Sequence, residues 1–169
     1  MKVIGFAGWS GSGKTSLIEK VVAVLAGRGL EVSLIKHAHH TFDIDHEGKD
    51  SWRHREAGCR EVLISSERRW SLIHELRGDA EMSLEALLLQ LSPCDLVLVE
   101  GFKHAAIPKI EVRRTVVREA PFYLKDPHVV AVATDVKLDT ALPQLDINDA
   151  QAVADFVVDY AFRMAAVQP

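Results

Sequence analysis

The chain has 169 residues and is 48% hydrophobic, enough for a single domain spanning 1–169 to bury a core without disulfides or a structural metal. A formal net charge of -4 argues against general nucleic-acid binding. Cys59 and Cys94 form no CxxC pair, so they read as small buried hydrophobes in a reducing compartment. No segment has the pattern of a secretory signal or the length of a transmembrane helix, so a cytoplasmic protein without a membrane partner is expected.

Lys2 to Ala7 is a short apolar run that stops at glycines, as a buried parallel strand feeding a turn does. Leu17, Val21, Val24 and Leu25 then recur at helical spacing, with Gly27 and Gly29 as stop signals. Glu31 to Lys36 reads as a second strand, and residues 37–49 as a polar functional loop without period. A short helix is predicted from Asp50 to Ala57, followed by strands at Glu61 to Ser65 and Trp70 to Leu76 that can form a hairpin. Ser83 is placed to cap a helix reaching Leu91, and Asp95 to Val99 is the next buried strand. Lys109 to Val112 and Val129 to Ala133 are further strands. Asn148 or Asp149 can cap a final helix carrying Val153, Phe156, Val157 and Tyr160.

Strands alternating with helices predict an α/β, three-layer P-loop NTPase fold with a mainly parallel sheet and an added β-hairpin, its ligand at the carboxyl ends of the strands. Gly8-Trp9-Ser10-Gly11-Ser12-Gly13-Lys14-Thr15 fits GxxxxGK[ST] at the junction of a predicted strand and a predicted helix. In such a loop the glycines let successive N–H groups face phosphate oxygens at a helix N-terminus. Gly11, Ser12 and Gly13 would line the phosphates, Lys14 would bridge the outer ones, the Thr15 hydroxyl would ligate magnesium, and Ser16 would reach the α-phosphate.

Residues 95–100 form an apolar run ending in an acid, Glu100, which is suited to holding magnesium through water or orienting an attacking water. Asp95 begins that strand, about 17 Å away at strand rise, and reads as solvated. The loop of His37, His39, His40, Asp43, Asp45 and His46 matches no closed zinc spacing, so contact with phosphate or with the shell around magnesium is the expected role. A metal carrier built on this cluster is the competing reading. Arg53, Arg55, Arg60, Arg68 and Arg69 are either phosphate contacts or a solvated face. Thr134 and Asp135 follow the last apolar strand, where a carboxylate can accept from two adjacent N–H groups of guanine.

The motifs GWSGSGKTSL, IKHAHHTFDIDHEGKDSWRHREAG, LVEGFK and VAVATD, in this order, resemble the molybdopterin-guanine dinucleotide biosynthesis adaptor protein B family, over most of the chain. The resemblance implies a homodimer that binds GTP with Mg2+, hydrolyses it weakly, and associates with the molybdenum cofactor guanylyltransferase that joins GMP to molybdopterin. Carried over by position, Gly11 to Ser16 are similar to the family's phosphate-binding residues, Glu100 to its strand-end acid, and Asp45, Lys49 and Asp50 to its second-strand loop. Lys14 and Glu100 would serve any hydrolysis, with Thr15 and Glu100 at the metal and Thr134 and Asp135 at the base. The chain has no NKxD signature and no evident catalytic glutamine or arginine finger, so turnover without a partner should be slow. A small-molecule kinase on the same loop is the alternative function.

Overall fold

The computed structural model describes residues 1–38 and 42–163, with the backbone alone at Arg163. The chain divides into two compact units, Met1–His37 with Leu84–Pro169, and Ala38–Ser83. In the first unit the elements are β1 (Lys2–Ala7), α1 (Lys14–Gly27), β2 (Val32–Lys36), α3 (Leu84–Leu88), β5 (Leu96–Glu100), β6 (Lys109–Arg113), β7 (Val129–Thr134), β8 (Gln144–Asp146) and α4 (Ala150–Val158). The second unit holds α2 (Asp50–Glu56), β3 (Glu61–Ser65) and β4 (Trp70–His74).

The first unit is built on a six-stranded sheet in the order β2-β5-β1-β6-β7-β8, and each neighbouring pair is parallel. Strand β5 is buried along its whole length, with side chains alternating between two cores. Leu96 and Leu98 join Ile4 and Phe6 beneath α1 and α4, whereas Val97 and Val99 join Ile35 and Leu84 on the other face. Helices therefore cover both faces, which gives the three-layer α/β arrangement that the alternation of strands and helices predicts.

Helix α1 presents Leu17, Ile18, Val21 and Leu25 to the sheet, and Val153, Ala154 and Val157 of α4 meet the same core. Asp149 caps α4 by accepting from Ala152 N at 3.0 Å. The helix runs on into a π-helical turn, Asp159–Arg163, that keeps Ala161 in the core. Strand β8 escapes sequence reading because three residues are too few to show a period.

In the second unit β3 and β4 form an antiparallel hairpin, with Leu63 opposite Leu72 and Ser65 opposite Trp70. Leu63, Leu72 and Trp70 occupy one face of it and are exposed. Cys59 corrects the expectation of burial: it is exposed after Gly58, whose φ of 116° turns the chain from α2 towards β3. Cys94 is half-buried against the second core of the first unit.

Candidate functional site

The site forms where β1 ends between β5 and β6, the point at which connections leave the sheet in both directions. Backbone constraints shape the loop. A Cβ on Gly8 would lie 2.4 Å from the Val112 carbonyl oxygen of β6, and Gly13, at φ 89°, is the left-handed residue from which α1 starts. Gly11, at φ 75°, lies in the same left-handed region. Ser12 is fully buried. The loop thereby delivers the helix N-terminus, with its unpaired N–H groups, to the sheet's carboxyl edge.

Lys14 Nζ donates to the carbonyls of Gly8 and Trp9, at 2.9 Å each, so the ammonium lies over the loop that the motif assigns to phosphate. Thr15 Oγ1 donates to Glu100 Oε1 at 2.9 Å, and Lys36 Nζ stands 3.4 Å from Glu100 Oε2. Glu100 is buried. A hydroxyl and a carboxylate thus converge one residue beyond the lysine, and both are hard oxygen donors of the kind magnesium uses. The residues present fit the ion and the phosphates that the motif implies. Gly101 and Phe102, at φ 92° and 44°, turn the chain directly after Glu100, and a Cβ on Gly101 would lie 2.9 Å from that of His37.

Thr134 and Asp135 line a cavity of about 440 Å³ together with Asp146 and Asn148. Asp135 Oδ1 accepts from Thr115 N at 2.9 Å and Oδ2 from Thr115 Oγ1 at 3.1 Å, which fixes the carboxylate while leaving further lone pairs. Arg114 connects this cavity to the phosphate loop. Its Nε lies 3.0 Å from the position of a Cβ on Gly13, while its guanidinium donates to Asn148 Oδ1 at 3.4 Å and lies 4.0 Å from Asp135. Sequence reasoning missed Arg114. The signal was available, since it directly follows β6, at the sheet edge where ligands gather.

Asp45, Lys49 and Asp50 belong to the second unit. There, buried Arg55 gathers three carboxylates, with Nη2 2.9 Å from Asp43, Nε 3.3 Å from Asp45 and Nη1 2.6 Å from Glu75. The backbone N–H of Asp45 and the Arg55 guanidinium hold the Asp43 carboxyl below its ordinary value. Burial works to raise Asp45, but hydrogen bonds from Ser51, His46 N and Arg55 outweigh it and bring that carboxyl down as well. Lys49 stands at the N-cap of α2 without a side-chain bond there, and Asp50 points into solvent 3.9 Å from Arg53. His39 and His40 lie outside the described residues. Among the described residues no group of three or more His, Cys, Asp or Glu side chains could hold a metal ion, and no helix is long and apolar enough to cross a membrane.

Residues 3–135 match the family model described as molybdopterin guanine dinucleotide synthesis protein B. The chain is 44% identical over 161 residues to a molybdopterin-guanine dinucleotide biosynthesis adapter protein of Escherichia coli (strain K12), covering 94% of this chain and 92% of that one. It is 41% identical over 158 residues to the protein of the same description from Haemophilus influenzae, covering 94% and 88%. The fold resembles the crystal structures of Bacillus subtilis MobB, with a TM-score of 0.75 at 24% identity over 96% of this chain and 99% of that one, and of a Bacillus stearothermophilus MobB homologue, with 0.72 at 23% over 95% and 98%.

Burial lowers the Lys14 pKa from the ordinary lysine value; Glu100 raises it, and Lys36 and Lys103 lower it further. A phosphate bound at this loop would prefer the protonated ammonium, so its affinity would be full below the Lys14 pKa and would fall as pH rises through it. Calorimetric titration of a nucleoside triphosphate from neutral to alkaline pH should therefore show weakening on the acid side of the ordinary lysine value. Lys14→Met should flatten that limb; an unchanged limb would exclude Lys14 as its source.

Proposed function

The chain belongs to the molybdopterin guanine dinucleotide synthesis protein B family, and from that premise we propose that it acts as an adapter of molybdopterin-guanine dinucleotide biosynthesis that binds GTP with magnesium and hydrolyses it slowly. The observation that carries the nucleotide reading is the 2.9 Å contact of Thr15 with Glu100 beside Lys14, at the start of α1. In this reading Gly11 to Ser16 hold the phosphates, and Thr15 and Glu100 hold magnesium, whose charge offsets that of the outer phosphates. Asp135, with Thr134 beside it, accepts from the guanine N–H groups, and Arg114 spans the distance from loop to base.

Slow turnover follows from how Glu100 is held. Thr15 and Lys36 occupy its two oxygens, so it serves the metal site better than it would serve as a free base for water. A protein that keeps its nucleotide intact suits an adapter better than a kinase, and its partner in this reading is the guanylyltransferase that joins GMP to molybdopterin. The exposed face of Leu63, Leu72 and Trp70 supports a homodimer, because a two-stranded hairpin with an exposed apolar face gains from pairing with a second copy.

Calorimetry with magnesium should give GTP an advantage over ATP of about tenfold or more, as paired hydrogen bonds to one base edge provide. Asp135→Asn should erase that advantage while triphosphate binding persists; equal binding of ATP and GTP to the parent protein would remove the guanine assignment. Light scattering should find a dimer that Leu63→Lys with Leu72→Lys converts to monomer, and a monomeric parent would remove the hairpin reading. Association with the guanylyltransferase should appear in a pull-down, and its absence with GTP and magnesium present would remove that partner.

A further inference from the structure

A second cavity, of about 370 Å³, borders the phosphate loop at Trp9, and Lys103, His104, Phe122, Lys125 and Asp126 contribute to its lining. Position nine is one of the unrestricted places of GxxxxGK[ST], so phosphate binding does not require an indole there. Yet the indole is held firmly. Its Nε1 donates to the Ala120 carbonyl at 3.0 Å, and its ring stacks on Phe122 with centroids 4.8 Å apart and planes inclined by 24°. The Lys103 ammonium stands over both rings, 4.7 Å from the Trp9 centroid and 5.8 Å from that of Phe122.

The walls are tied together from beneath. Lys109 is 2% exposed, and its ammonium donates to the carbonyls of Lys103 and Ala105 at 3.0 and 2.6 Å and to Asp126 Oδ2 at 2.7 Å. That buried lysine joins the segment carrying Lys103 to the segment carrying Phe122 and Lys125. It also neutralises Asp126, so Lys103 and Lys125 leave the cavity with a positive balance. An aromatic wall beside two ammonium groups, in a volume suited to a small molecule, selects a compound that is flat at one end and anionic at the other.

We propose that this cavity is a second small-molecule site, which takes a phosphorylated planar heterocycle with its ring against Trp9 and Phe122 and its phosphate on Lys103 and Lys125. The site does not depend on which base the phosphate loop prefers. It borders that loop, where the Trp9 carbonyl accepts from Lys14, the lysine assigned to the outer phosphates.

Neopterin 3′-phosphate is a suitable probe, and Trp9 a suitable reporter once Trp52 and Trp70 are replaced by Phe in the full chain. Titration should give saturable quenching of Trp9 fluorescence, with a matching calorimetric isotherm. Lys103→Ala and Lys125→Ala should each weaken it by about tenfold, as the loss of a charge-assisted phosphate contact does. Neopterin without the phosphate, and inorganic phosphate alone, should both bind more weakly than the probe, and Lys14→Ala should leave probe binding in place. Lys125 is exposed, so Lys125→Ala should keep the melting temperature and the nucleotide affinity measured without probe; that control separates failure here from failure of the nucleotide site. The proposal is overturned by absence of saturable binding at millimolar probe. It is equally overturned by binding that Lys14→Ala abolishes and Lys125→Ala leaves unchanged, or by inorganic phosphate binding as tightly as the probe.

Discussion

A hydroxyl on the first turn of α1 and a carboxylate at the end of β5 meet at 2.9 Å, and the surrounding architecture serves that meeting. Strand β5 pairs with β1 from Leu96 opposite Lys2 to Glu100 opposite Phe6, so Glu100 emerges at the level where β1 gives way to the phosphate loop. On its other side β5 pairs with β2, which sets Lys36 opposite Glu100 and brings a compensating ammonium to a buried carboxylate. Without such partners a carboxylate in that position would be costly to keep charged. The two apolar cores fix β5 from both faces, so the acid cannot shift without disturbing packing along the whole strand.

The same register argument extends across the sheet to β6 and β7. Val112 of β6 limits Gly8, Arg114 follows β6 onto Gly13, and Asp135 follows β7 and holds Thr115. Loop, arginine and acid are thus three consequences of parallel strands ending at one edge. Arg114 reaches from Gly13 at the start of α1 to Asn148 and Asp135 in the neighbouring cavity. On the other flank, Trp9 and Lys103 begin a differently composed pocket, aromatic and basic.

Those parts of this arrangement that rest on local rules were legible in the sequence. The phosphate loop follows from its glycine spacing between an apolar run and a helical period. Glu100 follows from an apolar strand ending in an acid, and the hairpin from two short strands around a polar turn. What escaped depends on contacts between segments far apart in the chain. Arg114 lies in a charged stretch without period, and only the pairing of β6 with β1 brings it to Gly13. Arg55 reads as one arginine among several, whereas the fold of the second unit sets it among Asp43, Asp45 and Glu75. Lys109 sits inside a strand where its charge suggests an exposed position, and its burial depends on Asp126 seventeen residues later. Strand β8 is too short for a pattern, and Cys59 is exposed because a glycine turn, rather than its own apolar character, decides where it goes.

The central claim is that Thr15 and Glu100 act as one unit in holding magnesium against the bound triphosphate. A double-mutant cycle with Thr15→Val, Glu100→Gln and the combined variant, read as the magnesium-dependent part of GTP affinity, tests it most directly. Strong non-additivity is predicted, with either single change removing most of the magnesium dependence and the second adding little. Two losses that simply add, or a magnesium dependence that survives both changes, would contradict the account.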